Sequence, residues 1–447
     1  MGASAVLLCA GTGLAPPTVG GCPVAVVEDL CDRPGAAAAA LRTLDATRVV
    51  LGLCDRRPSA ELLGALRRAG AEPFGVEAVV LGGRGPAEAG LLLAGAAARL
   101  ERLAPGERGR TALATGALSR RALLALGPAL AQRPVAVIDE DACAGTARCG
   151  LCVEVCPEHA VAAPGPRPAV DASACTACGA CVPRCPHGAL RLAGAAAEQV
   201  EAQLEELLPG VAGIVFACAA AGADAPPGWA LVELPALGLV GPGWLLQVRA
   251  RGAAVRLAPC DGACCEGARG VEALAARVLE ACGTPRPSGG RLRLREPLAT
   301  ADAALRLAPR DATAVVVDDA APLGLVHLDP DRCTLCGACA AACPTDALQL
   351  GEEASATVLR HEPSACVGCG RCATVCPERA LSVERGLDLA RLRHGTMELG
   401  RAGRETCAAC GADLPPLPMR RRVRELLPEL AGTPLGLCAG CASRAAS

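Results

Sequence analysis

Four near-copies of one cysteine phrase constrain this 447-residue chain more than any other feature. The most regular is Cys333, Cys336, Cys339, Cys343, followed by Pro344. A second is Cys366, Cys369, Cys372, Cys376 and Pro377, and a third is Cys175, Cys178, Cys181, Cys185 and Pro186. The fourth, Cys143, Cys149, Cys152, Cys156 and Pro157, has five residues in its first gap where the others have two. Two residues between thiols make a tight turn that points both sulfurs to one side. Gly179, Gly337 and Gly370 stand inside three of these loops, where unusual dihedrals are needed. The proline after each fourth cysteine fixes φ and removes a donor, so it ends the loop. Most phrases follow an apolar-acidic lead such as Val137-Ile138-Asp139 or Leu328-Asp329 and run out into apolar residues such as Ala347-Leu348. The pattern predicts strand, thiol loop, short helix, strand. Zinc sites also use paired cysteines two residues apart, but they do not need four in one compressed run.

The phrase resembles the iron–sulfur run of bacterial ferredoxins, in which the fourth cysteine ligates the other cluster of a pair. The phrases do pair, with short intervals from Cys156 to Cys175 and from Cys343 to Cys366. The resemblance implies two two-cluster 4Fe–4S ferredoxin domains, at residues 134–193 and 327–386, and four 4Fe–4S clusters. One cluster would take Cys143, Cys149, Cys152 and Cys185, and the next Cys175, Cys178, Cys181 and Cys156. In the second domain the sets would be Cys333, Cys336, Cys339 with Cys376, and Cys366, Cys369, Cys372 with Cys343.

Composition narrows the remaining classes. Formal net charge is −2, which suggests neither nucleic acid nor an anionic membrane as partner. Tyr is absent, and Phe and Trp number two each. Few aromatics mean thin cores, so bound metal is expected to supply part of the folding free energy. Twenty-nine cysteines grouped in this way imply a reducing, cytoplasmic compartment, because disulfides would compete for the ligands. No secretory signal is read at the N-terminus, and no apolar run approaches a membrane span, so no membrane insertion is expected.

Residues 1–133 alternate apolar strands (Ala5–Leu8, Val24–Val27, Val49–Leu53) with amphipathic helices (Glu61–Ala69, Glu88–Leu103), which predicts a small α/β layer with a parallel sheet. Cys9, Cys31 and Cys54 fall at or just after strand ends, where α/β folds place their sites. Gly11-Thr12-Gly13 has no third glycine in register, so no nicotinamide site is expected. Cys9-Ala-Gly-Thr, Asp29-Leu30-Cys31, Arg48 to Asp55 and Ala69 to Phe74 together resemble the N-terminal domain of the A-type component of heterodisulfide reductase. That resemblance implies one further iron–sulfur cluster on Cys9, Cys31 and Cys54, with Cys22 as the local candidate for a fourth ligand. The long flavin-binding domain of that family is missing.

Residues 194–300 read as a second α/β domain, with helices at Ala197–Leu208, Gly243–Arg251 and Gly270–Cys282 and strands at Gly213–Ala217 and Val255–Ala258. A cysteine after a buried strand, Cys218, and a Gly-rich group, Cys260-Asp-Gly-Ala-Cys264-Cys265, resemble the delta subunit of methyl-viologen-reducing hydrogenase. The resemblance implies a 2Fe–2S cluster on Cys218, Cys260, Cys264 and Cys265. Adjacent Cys264 and Cys265 favour a cluster over a single ion, while Leu234-Pro235-Ala236 stands where that family tends to have another cysteine. Residues 301–326 read as a linker with one strand, Ala314–Val317. The tail, 387–447, carries Cys407, Cys410, Cys438 and Cys441 in two knuckles around a short helix, Met419 to Leu427, stopped by Pro428. Two such pairs are the ligand set of a zinc-ribbon-like site with Zn.

The expected architecture is thus a multidomain α+β and α/β chain: two ferredoxin domains, two small α/β domains and a four-cysteine tail. No nucleophile–base pair can be identified. The expected role is an iron–sulfur electron-transfer subunit. Its redox partner subunits would be of hydrogenase, formate dehydrogenase or disulfide-reductase type. Direct reduction of a disulfide or small substrate at the N-terminal or Cys260–Cys265 cysteines, and a redox-sensing scaffold, are the alternatives.

Overall fold

The computed structural model describes residues 3–55, 57–104, 110–111, 132–283, 288–427 and 434–446. In the N-terminal part, a parallel sheet runs in the order Val24–Val27, Ser4–Cys9, Arg48–Leu53, Val76–Val80. Both faces are covered, as parallel sheets require. Strand alternation decides which helix each residue meets. Leu7 and Leu51 face Leu41 and Leu62 of helices Pro34–Thr43 and Ala60–Arg68. Val6, Leu8 and Val50 face Leu93 and Leu100 of helix Pro86–Glu101. The Ser59 side chain accepts from the Leu62 N–H at 3.1 Å and caps the second of these helices.

A second parallel sheet, Trp229–Leu234, Gly213–Cys218, Ala254–Ala258, carries the next part. The two α/β parts do not stand apart. Helix Pro86–Glu101 lies along Ala197–Leu207, so closely that a Cβ on Gly95 would stand 2.8 Å from Leu207. Val6, Leu93 and Leu100 thereby share one core with Leu204, Phe216 and Trp244. Arg99 is buried at this seam. It pairs with Glu77 at 3.2 Å and donates to the Glu233 and Gly194 carbonyls at 2.9 and 3.2 Å.

The segment 301–326 is more than a linker. Helix Leu298–Leu307 packs on helix Pro242–Ala250, and its Ala301, Ala304 and Leu307 enter the shared core. The Trp244 indole N–H donates to the Leu294 carbonyl at 2.7 Å, and the Gln247 amide donates to Ala299 at 3.1 Å. Small alanines let this helix approach closely while giving a weak apolar signal in sequence. Strand Val315–Val317 then pairs antiparallel with Leu381–Asp388, so the segment closes onto the domain that follows.

In the region 134–193, Ala136–Ile138 pairs with Leu190–Leu192 and Val161–Ala162 with Ala169–Val170. In the later copy the outer pair is Gly324–Leu328 with Leu381–Asp388. Its inner hairpin, Leu348–Glu352 with Ala356–His361, gains a third strand, Met397–Gly403, from residues the sequence assigns to the tail. The tail is tied on further by Arg422, which donates to Glu378 at 2.9 Å. Its helix spans Leu417–Leu426, and Pro428 lies outside the described residues. Among the described residues no helix is long and apolar enough to cross a membrane.

One buried acid makes this core pH-sensitive. The Glu296 carboxylate accepts from the Gly243 N–H at 2.7 Å and the Thr300 hydroxyl at 2.8 Å, and burial pushes its pKa up to about 7. An acid raised above its unfolded value stabilises the fold most at low pH, and that contribution falls as pH rises through the folded value. Thermal unfolding should therefore show a loss of about 1 kcal/mol between pH 6 and pH 8 that Glu296→Gln abolishes. An unchanged pH profile in the variant would assign the loss to other groups.

Candidate iron–sulfur and metal centres

The sixteen cysteines of the four phrases gather into four quartets, each mixing two phrases. Cys333, Cys336, Cys339 and Cys376 line one cavity, together with Leu328, Leu335 and Leu350. Cys156, Cys175, Cys178 and Cys181 line another. The other two quartets show in the electrostatics. Burial, then the neighbouring thiols Cys185, Cys149 and Cys143, push Cys152 up to about 11. Burial, then Cys366, Cys369 and Cys343, push Cys372 up to about 12. Four crowded thiols cannot all ionise alone, so a cation bound here would replace their protons, which couples binding to proton release. Local backbone aims the sulfurs: Gly337 (φ 79°) and Gly370 (φ 73°) cap helices Ala338–Ala341 and Arg371–Thr374 in the left-handed region.

The family model for a 4Fe-4S dicluster domain matches residues 332–380. A model for a 4Fe-4S binding domain matches residues 168–191. The chain carries two 4Fe–4S ferredoxin-type domains. No curated protein matches it. The phrase Cys143–Cys156 lies outside the matched residues, in keeping with its longer first gap, yet its first three thiols converge with Cys185 as in the other quartets.

The two ferredoxin-type domains meet at their cysteine loops. Cys149 and Leu151 pack with Val367 and Cys369. Arg371 donates to Glu154 at 2.9 Å, and Arg148 to Asp346 at 2.6 Å, across this contact. Arg184 and Arg385 both lie near Cys369. At its other end the first domain abuts the second sheet. Ala177 and Leu192 pack with Leu239, and Gly238 lies against the Cys178 carbonyl with no space for a Cβ. His187, beside Cys185, has an Nε2 without a hydrogen-bond partner.

Three further thiol groups are much tighter, with all ligand atoms of each group within 4.8 Å of one another. Cys407, Cys410, Cys438 and Cys441 form the first, and the Cys410 and Cys438 sulfurs are 3.7 Å apart. The backbone N–H of Cys438 brings Cys407 down to about 6. A four-thiolate zinc site fits this set. Cys218, Cys260, Cys264 and Cys265 form the second group. The N–H of Gly262, then the neighbouring thiols, bring Cys260 down to about 7. Cys9, Cys31 and Cys54 form the third, with Cys9 and Cys31 sulfurs 3.7 Å apart. Cys22 does not join them. It is half-buried beside Val19 and packs against the central core, so the trio has no fourth thiol among the described residues. Cys282 is a buried core thiol within reach of the Ala304 carbonyl.

The second and third groups are built by one device used twice. Strand Ser4–Cys9 ends in a 3-10 turn, Ala10–Thr12, closed by Gly13 at φ 65°. Strand Gly213–Cys218 ends in Ala219–Ala221, closed by Gly222 at φ 62°. Cys54 and Cys260 follow the neighbouring strands in the same way. Arg57 links the two, donating to the Ala219 and Ala223 carbonyls at 3.3 and 3.0 Å. The repeat is visible in the chain itself, since Cys9 to Gly13 and Cys218 to Gly222 share Cys-Ala, two small residues, then Gly.

Proposed function

We propose that this chain is an iron–sulfur electron-transfer component of a multisubunit redox complex. Bound to the four quartets, 4Fe–4S clusters would supply reversible one-electron uptake. The observation that carries the reading is the contact between the two ferredoxin-type domains, where Cys149 and Cys369 share one apolar patch. Within each domain, Cys339 lies near Cys372 and Cys152 near Cys181. The quartets therefore follow one another in a single order. Cys333/Cys336/Cys339/Cys376 stands at one end, beside the tail through Glu378. Cys343/Cys366/Cys369/Cys372 and then Cys143/Cys149/Cys152/Cys185 follow. Cys156/Cys175/Cys178/Cys181 stands at the other end, against the second sheet. Protein around each quartet excludes water and holds the thiolates apart from solvent, which sets its potential. The four-cysteine tail would hold zinc as a structural clamp. Partners of hydrogenase, formate dehydrogenase or disulfide-reductase type fit a chain with redox centres and no identified substrate-transforming site. Anaerobic reductive titration of the full chain tests the proposal. It should take up and return about four electrons, one per cluster. Uptake of none, or irreversible uptake, would refute it.

A further inference from the structure

The 2Fe–2S cluster implied for Cys218, Cys260, Cys264 and Cys265 does not fit these residues. Two irons bridged by sulfide would hold the four thiolates as two pairs at opposite ends, with a wide gap between the pairs. Here no such division exists. Cys260 is 3.5 Å from Cys218, 3.4 Å from Cys264 and 3.5 Å from Cys265, sulfur to sulfur. Cys218 and Cys264 are 3.9 Å apart, and Cys264 and Cys265 3.7 Å. Cys218 and Cys265 also lie within 4.8 Å. These are the edges of one tetrahedron. A metal–sulfur bond of about 2.3 Å gives a tetrahedral edge of about 3.8 Å.

The same molecule provides the comparison. Among the described residues, the ferredoxin-type quartets form no such close group, and two of them surround cavities. The tail, with its 3.7 Å spacing, has the same closed form as the Cys218 group. The 3-10 turn Ala263–Cys265 answers the objection that adjacent cysteines cannot share an ion. It brings both sulfurs to one point and buries Cys265.

We propose that Cys218, Cys260, Cys264 and Cys265 bind one thiophilic divalent ion, zinc or ferrous iron, without sulfide. With all four positions filled by thiolate, the site is closed and offers no position to a substrate. Its place is structural: it ties the end of strand Gly213–Cys218 to the loop that follows strand Ala254–Ala258, and the Cys218 sulfur lies 3.9 Å from the Pro235 carbonyl, in the loop that receives the first ferredoxin-type domain. This inference is tested apart from the electron count by its own metal and sulfide content: zinc here would add no electron to the reductive titration, and iron would add about one.

The test compares the full-length protein with Cys264→Ala/Cys265→Ala, both purified anaerobically, for zinc, iron and acid-labile sulfide. The variant should lose one zinc or one iron and no sulfide. Loss of about two irons with two sulfides, the content of a 2Fe–2S cluster, would overturn the proposal, as would no loss of metal. Because the variant could unfold locally, anomalous diffraction from wild-type crystals provides a second reading. One peak among the four sulfurs supports a single ion, whereas two peaks overturn it.

Discussion

Cys339→Ala is expected to remove about four irons and four sulfides from the chain, the content of one 4Fe–4S cluster. Cys376→Ala should remove the same cluster although it belongs to the other phrase, because both residues line one cavity. The double variant should therefore lose no more iron than either single one. If each phrase instead held its own cluster, the double variant would lose about eight irons, and crossed ligation would be wrong. The loss should also loosen the domain. Leu335, Leu348, Leu359 and Leu381 pack with these cysteines in a core that has no aromatic residue. Without metal, the paired thiols are neutral and partly desolvated, and little else replaces the lost bonds.

Arg99→Ala is expected to destabilise the α/β core by about 3–5 kcal/mol, the usual cost of removing one partner from a buried ion pair. Arg99 holds Glu77, whose partly buried carboxyl is pushed upward by burial despite the arginine. It also satisfies carbonyls of Gly194 and Glu233 from the second part, so its loss opens the seam between the two sheets. Glu77→Gln added to Arg99→Ala should recover part of the loss by removing the stranded charge. Thermal unfolding reads both steps. A loss under about 1 kcal/mol, as for an exposed pair, would mean that water reaches this site.

Much of this arrangement is legible from the chain alone, for identifiable reasons. Strands such as Ala5–Leu8 and Gly213–Ala217 are continuous apolar runs that end at a Cys, so their burial and parallel pairing follow from composition. Cysteine spacing marks the phrases because the loop itself determines the spacing. Strand Val76–Val80 and helix Pro34–Thr43 are less visible: one includes Glu77, which only tertiary pairing with Arg99 makes tolerable, and the other is mostly alanine. Helix Leu298–Leu307 is hidden for the same reason, with alanines buried against Pro242–Ala250. Strand Met397–Gly403 alternates weakly and is fixed by its partner Ala356–His361, not by its own sequence. Spacing also cannot tell how wide a thiol group opens. Cys22 is the local candidate for a fourth ligand in sequence, yet lies outside the trio, and the Cys260–Cys265 run resembles a cluster site in sequence although its sulfurs close on one point.

Reductive titration of the anaerobic full-length protein, followed by EPR, tests the central claim most directly. The account predicts reversible uptake of about four electrons by four 4Fe–4S clusters. Their signals should broaden as neighbouring quartets fill, because Cys149 and Cys369 bring the two ferredoxin-type domains together. Uptake of about two electrons or fewer, or four isolated signals that never interact, would contradict a single continuous relay.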